Sequence, residues 1–148
     1  MLILCISLAT VAPTLRGFWK GGQMRNQALQ VLALTKWART QAVTSAKVHA
    51  LRFDTGEKTY RLEVAEGMAF VPVPSDMGRT FTAPEDYELE VTVTPGAERN
   101  CIRFYPDGRS DGLRIRVIAP GNDMIVLEAR SPTEPFVLVG DELELGVR

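Results

Sequence analysis

The sequence predicts an α+β fold in which one long N-terminal helix packs against antiparallel β-sheet. Three observations carry that expectation. Apolar residues recur at three- and four-residue steps from Gln23 to Ala46, the spacing of one helix face. From Val48 onward, short runs alternate apolar and polar residues with a period of two, as strands with one buried face do. Turn residues separate those runs and no second helical pattern follows the first, which favours antiparallel meanders.

Size and charge set the outer limits. The chain has 148 residues, the length of one ordinary domain with a real core. Seventeen basic residues stand against eighteen acidic ones, for a formal net charge of −1. Such a balance creates no bulk attraction to nucleic acid or anionic lipid. Cys5 lies in an apolar run and Cys101 in an expected strand; both read as unpaired small hydrophobes.

The first element is an uncharged run, Met1 to Ala12. By length alone it suits a core helix, a signal-peptide core or part of a spanning helix. No Lys or Arg precedes it, and Pro13 would directly follow a cleavage after Ala12, so a signal peptide is the weaker reading. Arg16, Phe18, Trp19 and Lys20 follow, a mixture of cations and aromatics found at membrane–water interfaces. The run is therefore read as the back half of a membrane helix. Residues 1–22 are expected to form this remnant and its interface, and residues 23–148 the globular domain.

The helix is expected over 23–47. Ala28, Val31, Leu32, Thr35, Ala38, Ala42 and Ala46 form its apolar stripe, while Arg25, Gln30, Lys36, Gln41 and Lys47 fall largely off it. Small residues on such a stripe allow close approach to a sheet. Gly21-Gly22 predicts a kink or a fresh start, since each glycine costs about 1 kcal/mol relative to alanine within a helix.

The β region is expected over 48–148. Strands are read at 48–53, 58–65, 68–73, 87–94, 101–105, 113–119, 124–129 and 136–139, with 72–84 as the most loop-like stretch. Asp54-Thr55-Gly56, Pro95-Gly96, Pro106-Asp107-Gly108 and Pro120-Gly121-Asn122-Asp123 supply the turns. In the third of these, Pro106 presets φ, Asp107 accepts from backbone N–H groups, and Gly108 and Gly112 are expected at positive φ. The bland reading is a structural hairpin; in the alternative, Asp107, Arg109 and Asp111 touch a neighbouring subunit.

Two segments together carry a family resemblance. The helix contains Trp37-Ala38-Arg39-Thr40-Gln41-Ala42-Val43, and Phe104-Tyr105-Pro106-Asp107-Gly108-Arg109-Ser110-Asp111-Gly112 precedes the last strands. With the apolar run ending at Pro13, they resemble the GspH/FimT family, the minor pseudopilin H of type II secretion and its type IV pilus relatives. In that family an Ala-Arg-x-x-Ala segment leads to the first strand, and a Phe-x-Pro-Asp-Gly-x-x-x-Gly loop joins late strands. Ala38, Arg39 and Ala42 match the first pattern; Phe104, Pro106, Asp107, Gly108 and Gly112 match the second, with Arg109 inside it.

The resemblance implies a pilin-like fold and a non-catalytic subunit of a pilus-like filament for protein secretion. It also implies a single-pass inner-membrane helix, including Leu2, Ile3, Leu4, Ile6, Leu8 and Pro13, a periplasmic domain, and methylation. Its implied partners are other pseudopilins through the N-terminal helix, the membrane, and a secreted substrate or the secretin. Family precursors carry a basic leader and a Gly-Phe-Thr-Leu-x-Glu motif. Neither occurs in the sequence, so Met1 is expected to fall inside the helix, with the start upstream.

A type IV minor pilin that binds DNA is the rival reading. It would want clustered cations, whereas Gly140–Arg148 is mainly acidic and Arg103, Arg109, Arg114, Arg116 and Arg130 are scattered. A secreted β-rich binding domain is a further alternative. No cofactor is expected. His49 has no second His or Cys nearby in sequence for a metal. No Gly-x-Ser-x-Gly turn presents a nucleophile, and Glu85, Asp86, Glu88 and Glu90 read as a solvated face. The expectation is a protein that is not an enzyme.

Overall fold

The computed structural model describes the backbone of residues 2–121 and 123–141, and the side chains of residues 22–121 and 123–139. Helix α1 spans Leu2–Ser45. It runs unbroken through Pro13 and Gly21-Gly22, where the sequence suggested a kink or fresh start. A new helix beginning at Gln23 would leave its first four N–H groups without carbonyl partners. Continuity keeps them in the ladder, which offsets the roughly 1 kcal/mol that each glycine costs.

The helix ends two residues earlier than expected. Ala46 takes φ 57°, a left-handed conformation that reverses the chain, and it is exposed instead of closing the apolar stripe. Ala28, Val31, Thr35, Ala38 and Ala42 are buried as their spacing requires. Leu32 is half-buried, and Met24, Gln27 and Leu34 join the buried face.

Among the described residues nine strands follow: β1 His49–Asp54, β2 Thr59–Glu66, β3 Ala69–Pro72, β4 Phe81–Thr82, β5 Glu88–Val93, β6 Cys101–Phe104, β7 Gly112–Ile118, β8 Met124–Glu128 and β9 Val137–Asp141. Eight match expected strands to within a few residues. Strand β4 and a 3-10 turn at Asp76–Gly78 were read as loop. Two paired residues are too short to show a period.

The strands divide between two antiparallel sheets. One runs β3-β2-β1-β6, with β4 also on β2; the other runs β5-β7-β8-β9. Leu51 sits opposite both Leu62 and Ile102, so these residues share a face. Ile115 and Leu127 are likewise opposite in the second sheet. All five are fully buried with Val31, Ala38 and Ala42 of the helix in one core.

The reverse face of the first sheet is laced by charge. Arg52 Nε meets Glu63 Oε1 at 2.6 Å, and its Nη1 meets Glu98 Oε1 at 2.7 Å. Arg61 and Arg103 complete the chain at 3.0 Å and 3.2 Å. Glu63 is only 3% exposed, and two guanidiniums satisfy it, as a buried carboxylate requires. Cys101 is buried and free.

Among the described residues, no helix is long and apolar enough to cross a membrane. Leu2, Ile3, Leu4, Ile6, Leu8 and Pro13 lie on the backbone of α1; their side chains, and that of Cys5, fall outside the described residues. So does the acidic tail beyond Asp141.

Candidate functional site

The helix segment and the downstream turn lie close together and share the loop at 131–135. Strand β6 lies antiparallel to β1, with Phe104 opposite His49, so the turn after Phe104 emerges beside the C-terminal part of α1. Arg39 projects from the helix and donates through Nη2 to the carbonyl of Thr133. The same Nη2 would lie 4.0 Å from a Cβ built on Gly108. Ala38 and Ala42 flank Arg39 on the buried side and are both fully buried. Their methyl groups set the closeness of the helix, and Arg39 ties its flank to the loop at 131–135.

The turn is a closed hydrogen-bonded unit. Gly108 N–H donates to Tyr105 O at 2.9 Å, and Tyr105 N–H donates to Arg109 O at 2.9 Å. Pro106 occupies the first central position, where its fixed φ suits the turn, and Gly108 takes φ 91°. Asp107 accepts from Arg109 N–H at 3.0 Å and pairs with Arg109 Nε at 2.6 Å. The Arg109 backbone N–H and then its guanidinium hold the Asp107 carboxyl below its ordinary range.

A second layer closes behind it. The Tyr105 hydroxyl donates to Asp111 Oδ2 at 2.9 Å. Burial, and then Asp111, raise the Tyr105 phenol above its ordinary value. Ser110 N–H donates to Pro132 O at 2.8 Å, which brings the turn against the loop that Arg39 holds. The charged groups at the tip thus face one another: Arg109 and Asp107 are paired, and Asp111 is held by Tyr105.

Gly112 corrects the sequence reading. It is not at positive φ but opens strand β7. A Cβ there would meet Phe136 Cζ at 2.5 Å and Ile102 Cγ2 at 2.9 Å. Glycine is needed for space, not for backbone freedom. The sequence reading also missed Thr133 as the acceptor for Arg39. The prolines at 132 and 135 mark a turn there, but nothing local says which side chain it meets. His49, considered as a metal ligand, is buried with its Nδ1 3.0 Å from Lys47 O. Its ring is edge-on to Trp37.

This arrangement, one helix laid over two antiparallel sheets and clamped at its C-terminal flank, has solved counterparts. Two structures of the minor pseudopilin EpsH from the type II secretion system of Vibrio cholerae superpose on it, with TM-scores of 0.68 and 0.69. They cover 80% and 81% of this chain and 97% and 95% of their own. The fold is that of a minor pseudopilin. Sequence identity is 11% in both comparisons, so the pseudopilin fold is shared while most side chains differ. No family model matches the chain, and no curated protein matches it in sequence.

Within the pseudopilin fold, two arginines of the second sheet are matched to carboxylates. Arg114 and Arg116 share a sheet face, as their spacing required, and lie 3.7 Å from Glu128 and 3.1 Å from Glu90. Among the described residues, no group of three His, Cys, Asp or Glu is placed to hold a metal ion.

Proposed function

We propose that the chain is a minor pseudopilin, a non-catalytic structural subunit of a type II secretion filament. The observation that carries this reading is the superposition on EpsH over nearly the whole of that domain. The two segments that carry the sequence resemblance also lie on one loop, Arg39 through Thr133 and the turn through Ser110 and Pro132, which fits this reading. In this reading the apolar run at the head of α1 anchors the chain in the inner membrane and packs with helices of other pseudopilins. The β domain stands in the periplasm, where filament growth moves a secreted substrate toward the secretin.

DNA capture is the less favoured role. Arg52, Arg61, Arg103, Arg109, Arg114 and Arg116 each face a carboxylate within 4 Å, and phosphate would have to displace those partners. Deleting the gene in its host should abolish release of secreted proteins into the medium and leave DNA uptake intact. Normal secretion in the deletion strain would refute the assignment. Tight, salt-sensitive binding of DNA by residues 22–148 in a gel shift would replace it with the capture role.

A further inference from the structure

Charge is divided along the chain. Helix α1 carries no Asp or Glu in its 44 residues. All eighteen acidic residues follow Lys47, whereas six of the seventeen basic ones stand at or before it. The β domain therefore holds an excess of acid, and the segment ahead of it only cations.

The helix turns this composition into a surface. Arg25, Leu29, Lys36 and Val43 recur at steps of four and seven, so they form one stripe, turned away from the buried Ala28, Ala38 and Ala42. All four are exposed, Leu29 at 42% and Val43 at 51%. Among the described residues, no ion pair takes Arg25 or Lys36. The opposite sign collects where the chain enters β5. Glu85, Asp86 and Glu88 are exposed, and among the described residues no ion pair takes them either. Lys58 reaches this segment, but its ammonium donates to the main-chain carbonyl of Glu85.

The two surfaces stand at one height. Thr82, Ala83 and Pro84 lie across a groove from Gln23, Asn26 and Gln30, which sets the acidic segment level with the Arg25 end of the stripe. Strand β5 runs from there toward the Arg39 end, where Val93 pairs with Gly112. Glu85, Asp86 and Glu88 thus climb in the same sense as Arg25 to Lys36. The cations stand about 16 Å apart along the axis and the acidic segment covers about 10 Å, a difference their long side chains span. Two chains side by side with parallel helices bring the stripe of one to the acidic segment of the other. Each unpaired charge then meets its opposite, and Leu29 is covered.

We infer that α1 docks through Arg25, Leu29 and Lys36 onto the acidic segment 85–88 of a second copy of this chain. The two patches differ, so the contact is heterologous and repeats from copy to copy instead of closing a pair. The inference does not rest on the secretion role.

Donor- and acceptor-labelled full chains in uncharged detergent micelles should show energy transfer that falls as salt rises. Arg25→Glu/Lys36→Glu and Asp86→Lys/Glu88→Lys should each weaken association about tenfold, the scale of two exposed ion pairs. Mixing the two variants should restore it, because each offers the sign the other needs; a misfolded variant would not be rescued. No transfer between wild-type chains, transfer unchanged by either reversal, or a mixture as weak as its components would each overturn the inference. Transfer that appears only with anionic lipid and ignores Asp86→Lys/Glu88→Lys would overturn it too, by giving the stripe to headgroup phosphates.

Discussion

A single missing side chain, at Gly112, sets the fit between the two sheets. Phe136 and Ile102 occupy the space a methyl group would need, so Gly112→Ala should destabilise the domain by about 1–3 kcal/mol, as overpacking does. Urea titration of the variant would measure this. Tyr60 offers a second test. Burial pushes its phenol up to about 12, above the ordinary value near 10. The folded state therefore favours the protonated phenol. Its contribution is intact below about pH 10 and is lost as pH rises toward 12. Alkaline unfolding of the wild type should steepen across that window, and Tyr60→Phe should flatten it; identical profiles would refute the assignment. The acceptor for Arg39 was not legible in the sequence, because Thr133 stands 94 residues away and contributes only a backbone carbonyl. Arg39→Ala should cost about 1 kcal/mol by the loss of that bond, read as a lower unfolding midpoint.

The elements themselves were largely written in the sequence. Tyr60, Leu62 and Val64 alternate with Arg61 and Glu63, and one set enters the core while Arg61 and Glu63 take part in the ion network. Helical spacing placed Ala38 and Ala42 inward for the same reason of period. What the period could not reveal was partnership: β1 pairs with β6 across the intervening strands, and β5 leaves the first sheet altogether. Glu63, read as an outward position, is buried because Arg52 and Arg61 close over it. Two predictions belong at this scale. Ala42→Leu should push α1 off the sheets and cost 1–3 kcal/mol or more, visible as a lower melting temperature. Glu98 joins β1 to β6, and its hydrogen bond from Arg52 lowers its pKa. Its contribution is thus present above the ordinary glutamate range and is lost as pH falls below it. Because the pair is partly exposed, Glu98→Gln should change stability by less than about 1 kcal/mol, with the difference vanishing in acid.

For the whole molecule, the order of strands matters more than their number. The first sheet takes β1 to β4 and then β6; the second takes β5 and then β7 to β9. The backbone consequently passes between the layers three times: after β4, after β5 and after β6. The pairing of β1 with β6 demands closure of a long loop, which slows folding relative to local hairpins. Hydrogen exchange should find one shared opening free energy for the central amides of β1 and β7, and two well-separated values would contradict this. The interlacing has a mechanical corollary. No single cut of the chain yields two pieces that each own a complete layer, so the layers are not two separable units of sequence. A subunit stitched in this manner passes load from one layer to the other through three covalent crossings.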